Sequence, residues 1–256
     1  GETATLRMLA SMTSGIPPYT DSQRLQADYF SNPLALFTPQ QLLSYIKGQD
    51  PIFPAGTRVA YSNSNTVALG MVIEQRTGKP IAELLQKQIS TPLGLGQTSF
   101  PGTSNALPSP HFEGVTIQGD PSDTLKNATN WNPAWTFTAG AMVSTLDDLR
   151  RWAVALGTGE DLVSPEMQKQ RVASMISNVP PNAPARTYAL GFGVTNGWIG
   201  HTGELPGFNT SIQYDPGTQS TVVVMVNSDI PAPGPDGRPI NPAPTISDEL
   251  IAALAR

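Results

Sequence analysis

The sequence predicts an α+β fold from three observations. Capped, apolar-striped helical segments fill the first two thirds, β-prone runs crowd the last third, and an amphipathic helix closes the chain. Residues 5–12 read as a short helix broken at Ser14-Gly15-Ile16-Pro17-Pro18, and residues 19–37 as mixed, irregular chain. Thr38-Pro39-Gln40-Gln41 is a start signal, with Thr38 as N-cap, Pro39 at the first helical position and Gln41 closing a capping box. That helix is expected to run to about Lys47 and end at Gly48. A mostly apolar helix follows Tyr61-Ser62-Asn63, carrying Val67, Leu69, Val72 and Ile73 to a stop at Thr77-Gly78. Pro80 opens another, with Ile81, Leu84, Leu85 and Ile89 on one face and Pro92-Leu93-Gly94 ending it.

Residues 101–132 keep no strong period. Ser144 is read as the cap of a further helix, since Asp147 and Asp148 suit its positive N-terminal dipole; its end is expected near Gly157. Then come β-prone runs at 188–195, 198–202, 210–214 and 221–227, with Asp215-Pro216-Gly217 as a hairpin turn between the last two. A loop with six prolines between Pro231 and Pro244 is expected on the surface, and 246–254 as a helix packed on the sheet. No repeat and no linker divides the 256 residues into independent domains.

The composition removes whole classes of function. A net charge of −5 lacks the basic footprint of a nucleic-acid binder, so no nucleic-acid partner is expected. No apolar run approaches the roughly 20 residues of a membrane span, so no transmembrane segment is expected. Cysteine is absent, which excludes disulfides, Cys-ligated zinc, iron–sulfur clusters and thiol catalysis. His111 and His201 stand alone without a carboxylate cluster, and no Gly-rich phosphate loop is present; neither a metal nor another cofactor is expected.

Two short runs could carry chemistry. Tyr61 and Asn63 lie between a turn and a helix, where a phenol can relay a proton if cations lower its pKa and an amide can hold a carbonyl. The plainer reading is a Tyr packed on a loop beside an Asn helix cap. His201-Thr202-Gly203 falls at a strand end after Gly200, where a ligand backbone can come close and N–H groups can face an oxyanion. Here the plainer reading is a bend with a satisfied structural His.

Taken together, the two runs resemble the second and third motifs of the serine penicillin-recognising enzymes, the family of DD-peptidases, class C β-lactamases and related esterases. Further segments agree in order: Leu6-Arg7-Met8-Leu9-Ala10-Ser11-Met12-Thr13-Ser14-Gly15, Pro54-Ala55-Gly56-Thr57, and residues 139–149 around Ser144-Thr145-Leu146-Asp147-Asp148, with the hairpin at 212–226. The similarity covers almost the whole chain. It implies a β-lactamase/transpeptidase-like α+β fold, an antiparallel sheet with flanking helices beside an all-helical subdomain. The helical part is expected at roughly 15–140 and the α/β part at roughly 141–256.

The resemblance also implies roles. Tyr61 shuttles a proton between nucleophile and leaving amine, and Asn63 binds the substrate amide. His201 and Thr202, on an edge strand with Gly203, favour the substrate carboxylate, and the backbone N–H of Glu204 supplies half an oxyanion hole. The family's nucleophile is a serine in a Ser-x-x-Lys run, forming an acyl-enzyme. The run present here, Ser44-Tyr45-Ile46-Lys47, follows the Leu6–Gly15 segment where the family's nucleophile precedes it. Ser44 is therefore set aside. The nucleophile is expected upstream of Gly1, on a segment cut from the chain or supplied by a separate one, so that the chain alone is inactive. His201 in place of the class C lysine points to a D-alanyl-D-alanine carboxypeptidase, exported to the periplasm or cell envelope. A class C-like β-lactamase, an esterase, or a non-catalytic scaffold of the same fold are the alternatives. A small peptide, β-lactam or ester is the expected substrate.

Overall fold

The computed structural model describes residues 3–175, 179–183, 186–234 and 239–254. Gly1, read above as a cut edge, and the centre of the proline-rich loop lie outside the described residues. The helices of the first part are short and individually capped. Helix α1 (Leu6–Ala10) is capped by Thr5, and α3 (Pro39–Ser44) by the full capping box: Gln41 N–H donates to Thr38 Oγ1 at 3.2 Å, and Thr38 N–H to Gln41 Oε1 at 2.8 Å. A cap of this kind stabilises a helix by about 1 kcal/mol. Helix α3 stops three residues before the expected Lys47; turns carry the chain to Gly48.

The stretch read as irregular holds a single 3-10 turn (Tyr19–Asp21) and α2 (Gln23–Ser31), capped by Ser22. Its buried positions are only Leu25 and Tyr29, with Phe30 half-buried beside them, too sparse to read as a stripe. Helix α4 (Asn63–Thr77) begins and ends where expected, closed by Gly78. Helix α5 (Ile81–Leu85) continues into a single π turn at Gln86–Ser90. Tyr19, Leu25, Leu42 and Val67, all essentially inaccessible, form the core of this helical part, with Trp135 and Phe137 against it.

After two short paired strands, β1 (Val115–Thr116) and β2 (Lys126–Asn127), comes α6 (Leu146–Thr158). Its cap is Thr145; Ser144 Oγ instead pairs with Thr98 Oγ1 at 2.8 Å. Gly157 lies inside α6, and Gly159 in the left-handed conformation ends it. Helix α7 (Pro165–Ala173), capped by Ser164 and started by Pro165, was not read from the sequence because its buried positions are Gln168 and Arg171. Arg171 lies over the Phe192 ring at 5.0 Å and donates to Gln168 Oε1 at 2.7 Å.

The sheet is five antiparallel strands in chain order: β3 (Arg186–Tyr188), β4 (Gly193–Thr195), β5 (Trp198–Leu205), β6 (Phe208–Asp215) and β7 (Ser220–Val226). The run expected as one strand at 188–195 is split by a bend at 189–192, because Gly191 takes φ +80 and Ala189 N–H bonds Phe192 O at 2.8 Å. Beyond β7, two-residue strands β8 (Ala232–Pro233) and β9 (Pro239–Ile240) pair before α8 (Pro242–Leu254), which starts four residues ahead of expectation. Successive strand residues face opposite sides. Tyr214 meets α6 at Gly157, while Asn209 Oδ1 accepts the Ala243 N–H of α8, and an odd separation puts these two residues on opposite faces. The sheet is thus a middle layer, with Leu156, Phe192, Val194 and Ile199 packed on the α6 side and Val222, Val224 and Ala243 on the α8 side.

Candidate active site

A cleft of about 1710 Å3 lies between the start of α4 and strand β5. Its wall on the helical side holds Tyr61 and Asn63. Tyr61 is in extended chain, fixed by the Ala60 N–H bond to Met12 O at 2.9 Å, and Asn63 is the first residue of α4. Asn63 Nδ2 donates to Thr20 Oγ1 at 3.5 Å, and Thr20 also lines the cleft. Across from them are His201, Thr202, Gly203 and Glu204, so all six residues singled out from the sequence border one space. Ser44 does not; its hydroxyl donates to Gln41 O at the end of α3.

These four β5 residues sit within the strand, not at its end as expected. They nonetheless have one open side. Strand β4 pairs with β5 only at Trp198, Ile199 and Gly200, whereas β6 accompanies β5 from Ile199 to Leu205. In register the next partners would be Phe192 for His201 and Gly191 for Thr202, but the 189–192 bend takes them away. Beyond Gly200, β5 is therefore an edge facing the cleft, inside a sheet where it is the third strand of five.

Burial and close neighbours set the electrostatics at three residues. Tyr61 is 46% exposed, yet partial burial pushes its pKa up, and among the described residues no cation lowers it. Its phenol is held neutral at physiological pH. His201 has both nitrogens engaged: Nδ1 lies 2.6 Å from Thr202 O and Nε2 3.3 Å from Tyr188 Oη. Both ring nitrogens thus face protein groups in this arrangement. The third residue is Glu204, whose carboxylate accepts from Asn241 Nδ2 at 2.5 Å and from Gln118 Nε2 at 3.5 Å. Burial raises the Glu204 pKa, the Asn241 amide partly opposes, and Asp229 adds to the rise. Asp229, itself buried, accepts from Gln118 Nε2, Thr116 Oγ1 (3.0 Å) and Gly207 N–H (2.9 Å).

Tyr188, Gln118, Asn241 and Asp229 carried no motif in the sequence and are joined to the site by the fold alone. Among the described residues no three His, Asp or Glu side chains gather as a metal site would require. The described helices include none long and apolar enough to cross a membrane.

Residues 1–243 match the family described as Beta-lactamase. The chain belongs to the beta-lactamase family. Among curated proteins it is similar to Protein flp of Staphylococcus aureus, 27% identical over 234 residues, covering 88% of this chain and 43% of that protein. It is also similar to the D-aminopeptidase of Gluconobacter oxydans, 29% identical over 180 residues, covering 68% and 32%. The chain thus spans less than half the length of these curated relatives. Among solved structures, a D-stereospecific amidohydrolase from Streptomyces sp. superposes with a TM-score of 0.80 at 28% identity, over 88% of this chain and 68% of that one. A penicillin binding protein from Bacillus halodurans superposes at 0.78 over 98% and 72%; at 18% identity it supports the fold alone. Membership accords with the α+β fold expected from the sequence.

Proposed function

We propose that this chain forms part of an acyl-transferring serine hydrolase that cleaves an amide bond beside a D-amino acid residue. The observation that carries the reading is the apposition of Tyr61 and Asn63, at the start of α4, with the free edge of β5 across one cleft. In this reading a serine Oγ attacks the substrate carbonyl, which lies along that edge with its amide held by Asn63. Tyr61, neutral at rest, gives its own phenolic proton to the leaving amine as it takes the serine's, so it ends neutral, and water then releases the acyl group. The relatives named D-aminopeptidase and D-stereospecific amidohydrolase support D-residue amides as the substrate class. The nucleophile is assigned to a Ser-x-x-Lys run upstream of Gly1, since Ser44 stands away from the cleft. The subdomain split near residue 140 and an extracytoplasmic location belong to the same reading.

The D-alanyl-D-alanine carboxypeptidase reading lies within this class, but engagement of both His201 nitrogens favours substrates without a terminal carboxylate. Intact mass spectrometry tests the proposal. The protein carrying its upstream residues should gain one acyl group from a penicillin or an activated D-amino acid ester, whereas residues 1–256 alone should gain none. Tyr61→Phe should slow acylation at least 100-fold, the lower end of what a positioned proton relay contributes, about 10²–10⁴. An adduct on Ser44, or a Tyr61→Phe protein that acylates at the parent rate, defeats it. A protein that takes up no acyl group in its long form is the scaffold instead.

A further inference from the structure

His201 is bracketed by two protein groups, and their chemistry selects the tautomer of its neutral ring. A carbonyl can only accept, so the 2.6 Å contact with Thr202 O requires the proton on Nδ1. The neutral ring then has its lone pair on Nε2, and the Tyr188 hydroxyl, 3.3 Å away, donates to it. Tyr188 is a suitable donor because it is half-buried. Burial, with the neighbouring Tyr61 adding to it, raises its pKa and keeps its proton.

The rings also brace one another. Tyr188 stands perpendicular to the imidazole at 5.9 Å, and Tyr61 meets His201 at 5.6 Å and Tyr188 at 6.0 Å. Tyr188 is anchored from behind, its own N–H donating to Asn182 Oδ1 at 3.0 Å. It ends β3 in register with Gly193, which is in register with Gly200, so no side chain stands at either position between Tyr188 and the strand bearing His201.

From this arrangement we infer that Tyr188 is a positioning residue of the site: it locks His201 as the Nδ1–H tautomer and holds Tyr61 against the pair. His201 accordingly serves as a brace, and the enzyme takes substrates whose leaving group is uncharged, an amide or ester rather than a peptide ending in a carboxylate held on His201. This inference rests on the hydrolase reading above for its substrate class, but its first test does not require turnover.

With only two histidines in the chain, a long-range 1H–15N spectrum resolves both imidazoles. In the unaltered protein at neutral pH, His201 should be protonated on Nδ1, with its Nε2 resonance displaced as for a hydrogen-bonded lone pair. Tyr188→Phe should move the Nε2 resonance to the position of a free lone pair and leave His111 unchanged. A His201 protonated on Nε2 in the unaltered protein overturns the proposal without any variant. So does a Tyr188→Phe protein with an unmoved Nε2 signal. In the long form, Tyr188→Phe should lower kcat about 5–10-fold, the effect of one orienting hydrogen bond, with KM little changed. The unaltered long form should turn over a D-amino acid amide at least 10-fold faster than a D-Ala-D-Ala-terminated peptide. The reverse preference overturns the substrate assignment, whereas no turnover of either would refute the hydrolase reading and leave the tautomer result standing on its own.

Discussion

Gly157 is the sharpest single test of how the sheet and α6 fit together. Judged by the helix alone, Gly157→Ala should stabilise, because Ala is favoured over Gly by up to about 1 kcal/mol in a helix interior. The packing says otherwise. A Cβ at this position falls 2.1 Å from Tyr214 Cδ1 and 2.6 Å from Cε1, where carbon atoms normally rest about 3.5–4.0 Å apart. Tyr214 has little room to yield, since it is 3% exposed and its backbone is paired with Ile199 on one side and Thr221 on the other. Overpacking of this kind costs about 1–3 kcal/mol or more, which outweighs the propensity gain. Gly157→Ala should therefore lower the unfolding free energy by about 1–2 kcal/mol, and Tm by about 2–4 °C for each kcal/mol. Urea unfolding followed by circular dichroism measures it. Adding Tyr214→Leu to Gly157→Ala should recover part of the loss, so the two changes together should cost less than their sum. A Gly157→Ala protein more stable than its parent would refute the packing argument and leave propensity in charge.

Three further outcomes follow from the contacts described. Asp148 is buried and accepts from Gln97 N–H (2.7 Å) and Thr98 Oγ1 (2.8 Å) on Oδ2 and from Arg151 Nη1 (3.3 Å) on Oδ1, so Asp148→Asn, whose amide nitrogen must face one of these donors, should cost about 1–3 kcal/mol in chemical denaturation. Arg151, half exposed beside Asp148, should contribute little, and Arg151→Ala should change stability by less than about 1 kcal/mol. Glu204 has a folded pKa above its unfolded one, so its contribution is most favourable below the unfolded value near about 4.3 and is lost as pH rises through the folded value. Glu204→Gln should accordingly raise Tm at about pH 7, and its advantage should shrink by about pH 4; a gap that stays constant across that range contradicts the assigned direction.

Much of the fold was legible because its signals are local. Thr38, Pro39 and Gln41 announce α3, Gly78 closes α4, and the Asp215-Pro216-Gly217 turn joins β6 to β7. Where the sequence misled, a tertiary contact had taken over a residue's local role. Ser144 looks like a cap but bonds Thr98; Gly157 looks like a helix end but makes room for Tyr214. Asp148 looks like a dipole partner and is a buried tie to residues 97–98. Helices α2 and α7 escaped because their inward faces carry few apolar side chains. At the site, the residues in contiguous motifs were found, and those brought in by the sheet were not. Tyr188 lies 13 positions from His201 and reaches it across β4, a relation that no spacing rule encodes.

The bend at 189–192 gives the cleft a property independent of the side chains lining it. Phe192 is fully buried in the α6-side core, and Gly191 turns the chain with a left-handed φ that other residues adopt only at a cost of about 1–2 kcal/mol. Between them they set where β4 stops, and so how many residues of β5 remain unpaired. Each residue added to β4 would close the free edge by one position, about 3.4 Å. Each residue removed would lengthen it by the same step. The reading frame offered to a substrate backbone is thus measured out by the hydrophobic core, and related chains could lengthen or shorten it through changes in this buried corner while every residue facing the cleft stayed the same.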